Sequence, residues 1–140
     1  MTPEAKTLLD SIRDLAPSIS KRSPDIDAAR RLPPDLLAQL IDAGCFRMFV
    51  PKSHGGLDID VPASMEIIEA IATADGSTGW VVMIGSETPM LLALLSRKHF
   101  DSLYAKSPDV IIAGAFAPRG QAEVIDSGYR VHDVIHFELN

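Results

Sequence analysis

Residues 31–56 read RLPPDLLAQLIDAGCFRMFVPKSHGG, a short helix with both ends written into the sequence. Pro33 and Pro34 suit a first helical turn, where the missing N–H is no loss. Asp35 sets a negative charge near the positive end of the helix dipole. Leu36, Leu37, Leu40 and Ile41 form one apolar stripe. Gly44 can take the left-handed conformation that closes a helix, and Cys45 and Phe46 can fold back onto it. Phe49-Val50-Pro51 is then expected to run extended, and His54-Gly55-Gly56 to turn. This helix, stop, extended step and loop form the unit around which the neighbouring segments are expected to pack.

The chain has 140 residues, within the range of one domain. Hydrophobic residues make up 46% and charged residues 23%, enough for a core and unlike a disordered chain. A net charge of −6 argues against a nucleic-acid partner held by general electrostatics. A local anion site remains compatible with it. The single cysteine, Cys45, cannot form an intrachain disulfide, so a reducing, cytoplasmic setting is the expectation. It stands where a Leu or Phe would serve equally well, which favours a structural role over a nucleophilic one. The N-terminus lacks a basic region followed by an apolar run, so no signal peptide is read. Asp75, Glu87 and Pro89 interrupt the apolar runs before the ~18 residues that a membrane span needs.

Leu8, Leu9, Ile12, Leu15 and Ile19 recur at helical steps, and Thr2 or Thr7 stands near the expected cap. Pro17 predicts a kink or end near Ala16. Residues 18–24 read as either a break or a continuation, and 25–31 as one further helical turn. Arg30-Arg31 reads as a solvated helix end in preference to an anion site. Asp60-Val61-Pro62 opens a helix with Met65, Ile67, Ile68 and Ile71 on its dry side and Glu66 and Glu69 on its wet side. Asp75 or Ser77 is placed to cap the next helix, about 78–95. That helix is apolar on nearly all sides, which predicts burial on all sides and a need for many neighbours or a partner subunit. A short amphipathic helix follows to about Ala105. Beyond Ser107-Pro108 the pattern changes to strands: 110–113, 122–125 and 129–137, the last two around Asp126-Ser127-Gly128, a hairpin turn. The fold class is therefore mainly α with a short β segment. Its parts are a helical domain over 1–107 and the incomplete start of a β domain over 108–140.

Few motifs carry chemistry. His132 and His136 share a strand face, with Asp133 opposite, but two ligands do not make a metal site, and none is expected. No phosphate-binding glycine loop and no serine elbow is present. Gly76-Ser77-Thr78-Gly79-Trp80 sets small residues and hydroxyls at the mouth of an apolar helix. It reads as tight helix packing or as room for a ligand, and the residues alone favour packing. The loop 114–120 (GAFAPRG) sets exposed backbone beside Phe116, which suits a planar ligand or an ordinary crossover.

In this order, residues 31–60, 66–86 and 110–131 resemble the acyl-CoA dehydrogenase superfamily. They are most similar to its branch of two-component flavin-dependent monooxygenases. The resemblance implies a helical N-terminal domain, a middle β-barrel and a C-terminal four-helix bundle. It implies FAD or FMN as cofactor, a flavin reductase as partner, a small aromatic or acyl substrate in full-length relatives, and a homo-oligomer. By the same resemblance Ser77, Gly79 and Trp80 line the substrate cavity, and Phe116, Ala117, Pro118 and Phe137 belong to the flavin-binding side. Ala-Pro-Arg-Gly at 117–120, where acyl-CoA dehydrogenases carry Leu-Thr-Glu-Pro, favours the monooxygenase branch. After Val131 the family pattern is Ser-Gly-x-Trp-x-Phe-x-Ser-Gly. Residues 132–140 match it only at Phe137, with Ile135 and Leu139 at the Trp and Ser positions. The chain then stops before the barrel closes and before the bundle that supplies the family's catalytic base. The expectation is a truncated monooxygenase, inactive alone. The alternatives are an acyl-CoA dehydrogenase, or a non-catalytic helical remnant or oligomerisation module.

Overall fold

The computed structural model describes residues 1–111 and 120–132. In chain order the elements are α1 (Pro3–Ala29), α2 (Pro34–Ala43), 3-10 turns at Cys45–Arg47 and Lys52–His54, α3 (Val61–Ala74), α4 (Gly76–Leu92) and α5 (Arg97–Tyr104). Two antiparallel strands follow, β1 (Gln121–Ile125) and β2 (Gly128–His132).

α1 is one helix of 27 residues, so the break expected at Pro17 does not occur. Thr2 caps it, its hydroxyl accepting from the Ala5 N–H. Pro17 and Pro24 lie inside it, and both are exposed, as are Arg13 and Ser20, whose carbonyls the missing N–H groups would have met. Those carbonyls can turn to water. The opposite face buries Ile12, Ile19 and Ile26 with the same seven-residue step as the prolines. Burying three isoleucines, each worth roughly 1.5–3 kcal/mol, outweighs two prolines on the wet side. Pro17→Ala is expected to raise stability by about 2 kcal/mol, the helix-interior penalty less the unfolded-state entropy that proline removes. A urea-denaturation midpoint checks it, and no gain would mean the helix is already relaxed around the ring.

α2 begins and ends where the sequence indicates. Pro33 is its N-cap, and Gly44 closes it at φ +101°, its N–H reaching the Ile41 and Leu40 carbonyls. The bidentate pair of Arg22 with Asp35, at 2.7 and 2.8 Å, ties α1 to α2. Cys45 and Phe46 fold back fully buried. Phe49-Val50 is not extended: residues 48–50 turn and bend, because the following segment folds back over them. The Leu57 and Ile59 N–H groups donate to the Arg47 and Met48 carbonyls at 3.0 and 2.8 Å. Asp60 then caps α3, accepting from the Ala63 N–H at 2.8 Å.

The main core joins Leu8, Ile12, Ile19, Leu36, Leu40, Phe46, Met48, Ile67, Ile71 and Val82. A satellite core of Val50, Phe100 and Tyr104 lies under α5. α4 departs from expectation most. Its buried residues are Thr78, Gly79, Val82, Gly85, Ser86 and Pro89. Of its large side chains Val82 is fully buried, Met83, Ile84 and Leu92 are half-buried, and Trp80, Val81, Met90 and Leu91 are exposed. Close helix approach selects small residues: a Cβ on Gly79 would fall 2.6 Å from that of Ala72, and one on Gly85 2.7 Å from the Phe46 ring.

In the β segment, Val110 and Ile111 are not in a strand, and Ile111 is exposed. The rest of the expected 110–113 strand lies outside the described residues. The hairpin forms around Asp126-Ser127, pairing Ile125 with Gly128 and Gln121 with His132. Glu123, Arg130 and His132 share one face, and Ala122, Val124, Tyr129 and Val131 the other. All ten strand residues are exposed. No helix among the described residues is long and apolar enough to cross a membrane.

Candidate functional site

Asp75 stands at the junction of α3 and α4 and is 6% exposed. One carboxylate oxygen accepts from the Thr78 N–H at 2.7 Å and the Thr78 hydroxyl at 2.6 Å. The other accepts from the Ser23 hydroxyl of α1 at 2.6 Å. One buried side chain thus ties three helices together. Burial pushes its pKa up, but the hydrogen bonds from Ser23 and Thr78 outweigh that and hold the carboxyl below the usual range.

Outside this junction lies an open cleft of about 440 Å³. Ile26, Asp27, Arg30, Arg31 and Leu32 form the wall at the end of α1. Gly76, Ser77, Trp80 and Val81 form the wall at the start of α4. Ser77 donates to Asp27 across it at 3.4 Å, and Trp80 is 63% exposed. Among the described residues neither arginine side chain has an ion-pair partner. Two of the three expected substrate-cavity residues, Ser77 and Trp80, therefore line one cleft. The third, Gly79, faces Ala72 on α3. Phe116, Ala117, Pro118 and Phe137 lie outside the described residues.

In the sequence Arg30-Arg31 reads as a solvated helix end, with no local signal that joins it to Trp80. Both arginines are exposed, as read. Their placement beside α4 follows from α1 continuing through Pro17 and Pro24, which carries its end to the Asp75 junction.

Two other groups are structural. His54 joins Asp101 at 2.8 Å and Ser53 at 2.9 Å, and it stands edge-on to Phe100 at 5.0 Å. Arg97, with His54, holds Asp101 below the usual carboxylate range. Both imidazole nitrogens are engaged, and the cluster fastens α5 to the 52–56 loop. Cys45 is fully buried and its thiol is pushed up to about 12 by burial, so no thiolate is available. Among the described residues no three His, Cys, Asp or Glu side chains gather as metal ligands would.

Residues 2–97 match the family model for the acyl-CoA dehydrogenase N-terminal domain. The chain belongs to that family. It is 35% identical over 130 residues to indole-3-acetate monooxygenase of Pseudomonas putida, covering 93% of this chain and 32% of that protein. It is 34% identical over 118 residues to the HsaA oxygenase subunit of a flavin-dependent monooxygenase from Rhodococcus jostii, covering 84% of this chain and 31% of that one. The crystal structure of the HsaA monooxygenase from M. tuberculosis superposes with a TM-score of 0.86 at 33% identity, over 91% of this chain and 33% of that chain. The chain spans about a third of the length of these relatives.

Proposed function

We propose that this chain forms the helical, substrate-side domain of a flavin-dependent monooxygenase that receives reduced flavin from a separate reductase. The observation that carries the reading is the match in both fold and sequence to an HsaA monooxygenase over nine-tenths of the chain. Residues 1–107 would be the helical domain and 108–140 the start of the β domain. Ser77 and Trp80 would form one wall of the substrate cavity, while Gly79 sets α4 against α3. Phe116, Ala117, Pro118 and Phe137 would run along FAD or FMN.

The described residues fit such a role in two ways. The cleft beside Trp80 has the volume of a small-ligand site. The hairpin keeps an apolar face open, as a strand pair does when a further layer packs on it. Bound reduced flavin would supply dioxygen activation, and this domain would orient an aromatic substrate and exclude water from one side. The acyl-CoA dehydrogenase reading shares the family's N-terminal domain but not the named relatives' activity.

Met90 and Leu91 at the end of α4, and Leu94 and Leu95 just beyond it, are exposed together as one apolar patch. They support a homo-oligomer, and a monodisperse monomer on gel filtration would contradict it. Flavin binding is tested by titrating FAD or FMN and reading flavin fluorescence. Quenching with a Kd under roughly 100 µM, about 5.5 kcal/mol, is expected if the domain carries enough of the flavin wall. No change at that concentration would remove the cofactor from the reading of this chain.

A further inference from the structure

The geometry points to the cleft between the end of α1 and the start of α4 as a binding site for a small planar aromatic anion, with its ring on Trp80 and its carboxylate on Arg30 and Arg31. This deepens the reading of the same cleft as a substrate wall. Its test is read from tryptophan and not from flavin, so the two can fail separately.

Three observations combine. Trp80 is largely exposed and lines the cleft, and an exposed indole beside Val81 is a stacking platform with an apolar margin. Arg30 and Arg31 stand on the opposite wall with no ion-pair partner among the described residues. A guanidinium matches a carboxylate as a two-pronged donor. The cleft also holds Asp27, whose carboxylate takes the Ser77 hydroxyl, so it has two cations against one anion. A ligand that is planar and singly negative uses both walls. A neutral ring would leave the arginines unanswered, and a cation would meet them as like charges.

Arg30 adds a separable feature. It closes α1 in the left-handed region at φ +52°, where a side chain other than glycine carries a backbone cost. Arg30→Gly therefore removes the guanidinium without asking the backbone to move.

Trp80 is the only tryptophan of the chain, so its emission reports this cleft alone. The experiment titrates the full chain with 4-nitrobenzoate and with 4-nitrobenzamide, correcting for their absorption and reading tryptophan emission. The carboxylate is expected to quench saturably and to bind at least about tenfold more tightly than the amide. Raising NaCl from about 50 to about 500 mM is expected to weaken the carboxylate several-fold and leave the amide unchanged. Arg30→Gly and Arg31→Gln are each expected to bring the carboxylate towards the amide's affinity, with the circular-dichroism helix signal unchanged. Linear, collisional quenching by both compounds would overturn the site. Equal affinity for the two compounds, or arginine variants that bind as the parent does, would overturn the anion assignment. Saturable carboxylate binding without flavin quenching would uphold the cleft and reject the cofactor reading.

Discussion

Gly56→Ala is expected to cost on the order of 3 kcal/mol or more, a large share of the 5–15 kcal/mol typical of a domain. A Cβ built at this position falls 1.8 Å from the Val50 carbonyl oxygen. The obstacle is backbone, so no rotamer change relieves it. That same carbonyl accepts the Asp58 N–H at 3.1 Å. Moving Gly56 away therefore loosens the return of residues 57–59 over 47–50, and with it the approach to the Asp60 cap of α3. Its neighbour gives the contrast. Gly55 sits at φ +80° with Pro108 at ordinary contact distance, 3.4 Å. Gly55→Ala is expected to cost about 1–2 kcal/mol from backbone strain alone, and Gly55→Asn less, since asparagine tolerates that region. Urea-denaturation midpoints of the three variants distinguish the causes. A Gly56→Ala protein within about 0.5 kcal/mol of the parent, the range of an ordinary surface substitution, would mean that the loop does not pack as described.

These two glycines also mark how far the sequence could be read. Gly-Gly after His54 announces a turn, and Gly44 after an apolar stripe announces a helix end, because each is a local backbone requirement. The same holds for Asp60 and Asp75 as caps and for Asp126-Ser127-Gly128 as a hairpin turn. Local signals fail where a distant surface decides. Pro17 is a helix breaker by its own chemistry, yet α1 continues, because Ile12, Ile19 and Ile26 are held by the core on the other face. The shared seven-residue step of prolines and isoleucines was visible in the sequence. What it lacked was the weight of packing against the missing hydrogen bonds.

The exposed face of α4 departs from the expected burial for a related reason. A composition apolar all round implies burial all round only when the large side chains do the packing. Here Gly79 and Gly85 bring the helix close to Ala72 and Phe46, and Trp80, Val81, Met90 and Leu91 are turned outward. The candidate cleft was half legible. Ser77 and Trp80 follow from the resemblance of one stretch. Arg30 and Arg31 are some fifty positions away in sequence and join them only through an uninterrupted α1. Nothing local couples an arginine pair at a helix end to an indole on another helix.

The junction that makes this cleft should respond to acid through one residue. Asp75→Ala is expected to cost about 2–4 kcal/mol, since it removes a helix cap and leaves the Ser23 and Thr78 hydroxyls without their charged acceptor. Its effect should depend on pH with a defined sign. The folded-state pKa of Asp75 lies below the unfolded value, so the folded protein binds this proton less readily than the unfolded chain does. The stabilisation is therefore fully present above the unfolded carboxylate pKa, and it is lost as the pH falls through the folded one. The parent should lose stability over that window more steeply than Asp75→Ala or Asp75→Asn, and the gap between parent and variants should narrow as acid is added. Asp35, held low by Arg22, and Asp101, held low first by Arg97, titrate in the same range, but both remain in every variant and cancel in the difference. Urea denaturation from pH 7 to pH 3 of the three proteins measures it. Parallel pH profiles would mean that the carboxylate is not the group joining α1, α3 and α4. Trp80 emission in the same samples would then show whether the cleft outlasts the junction.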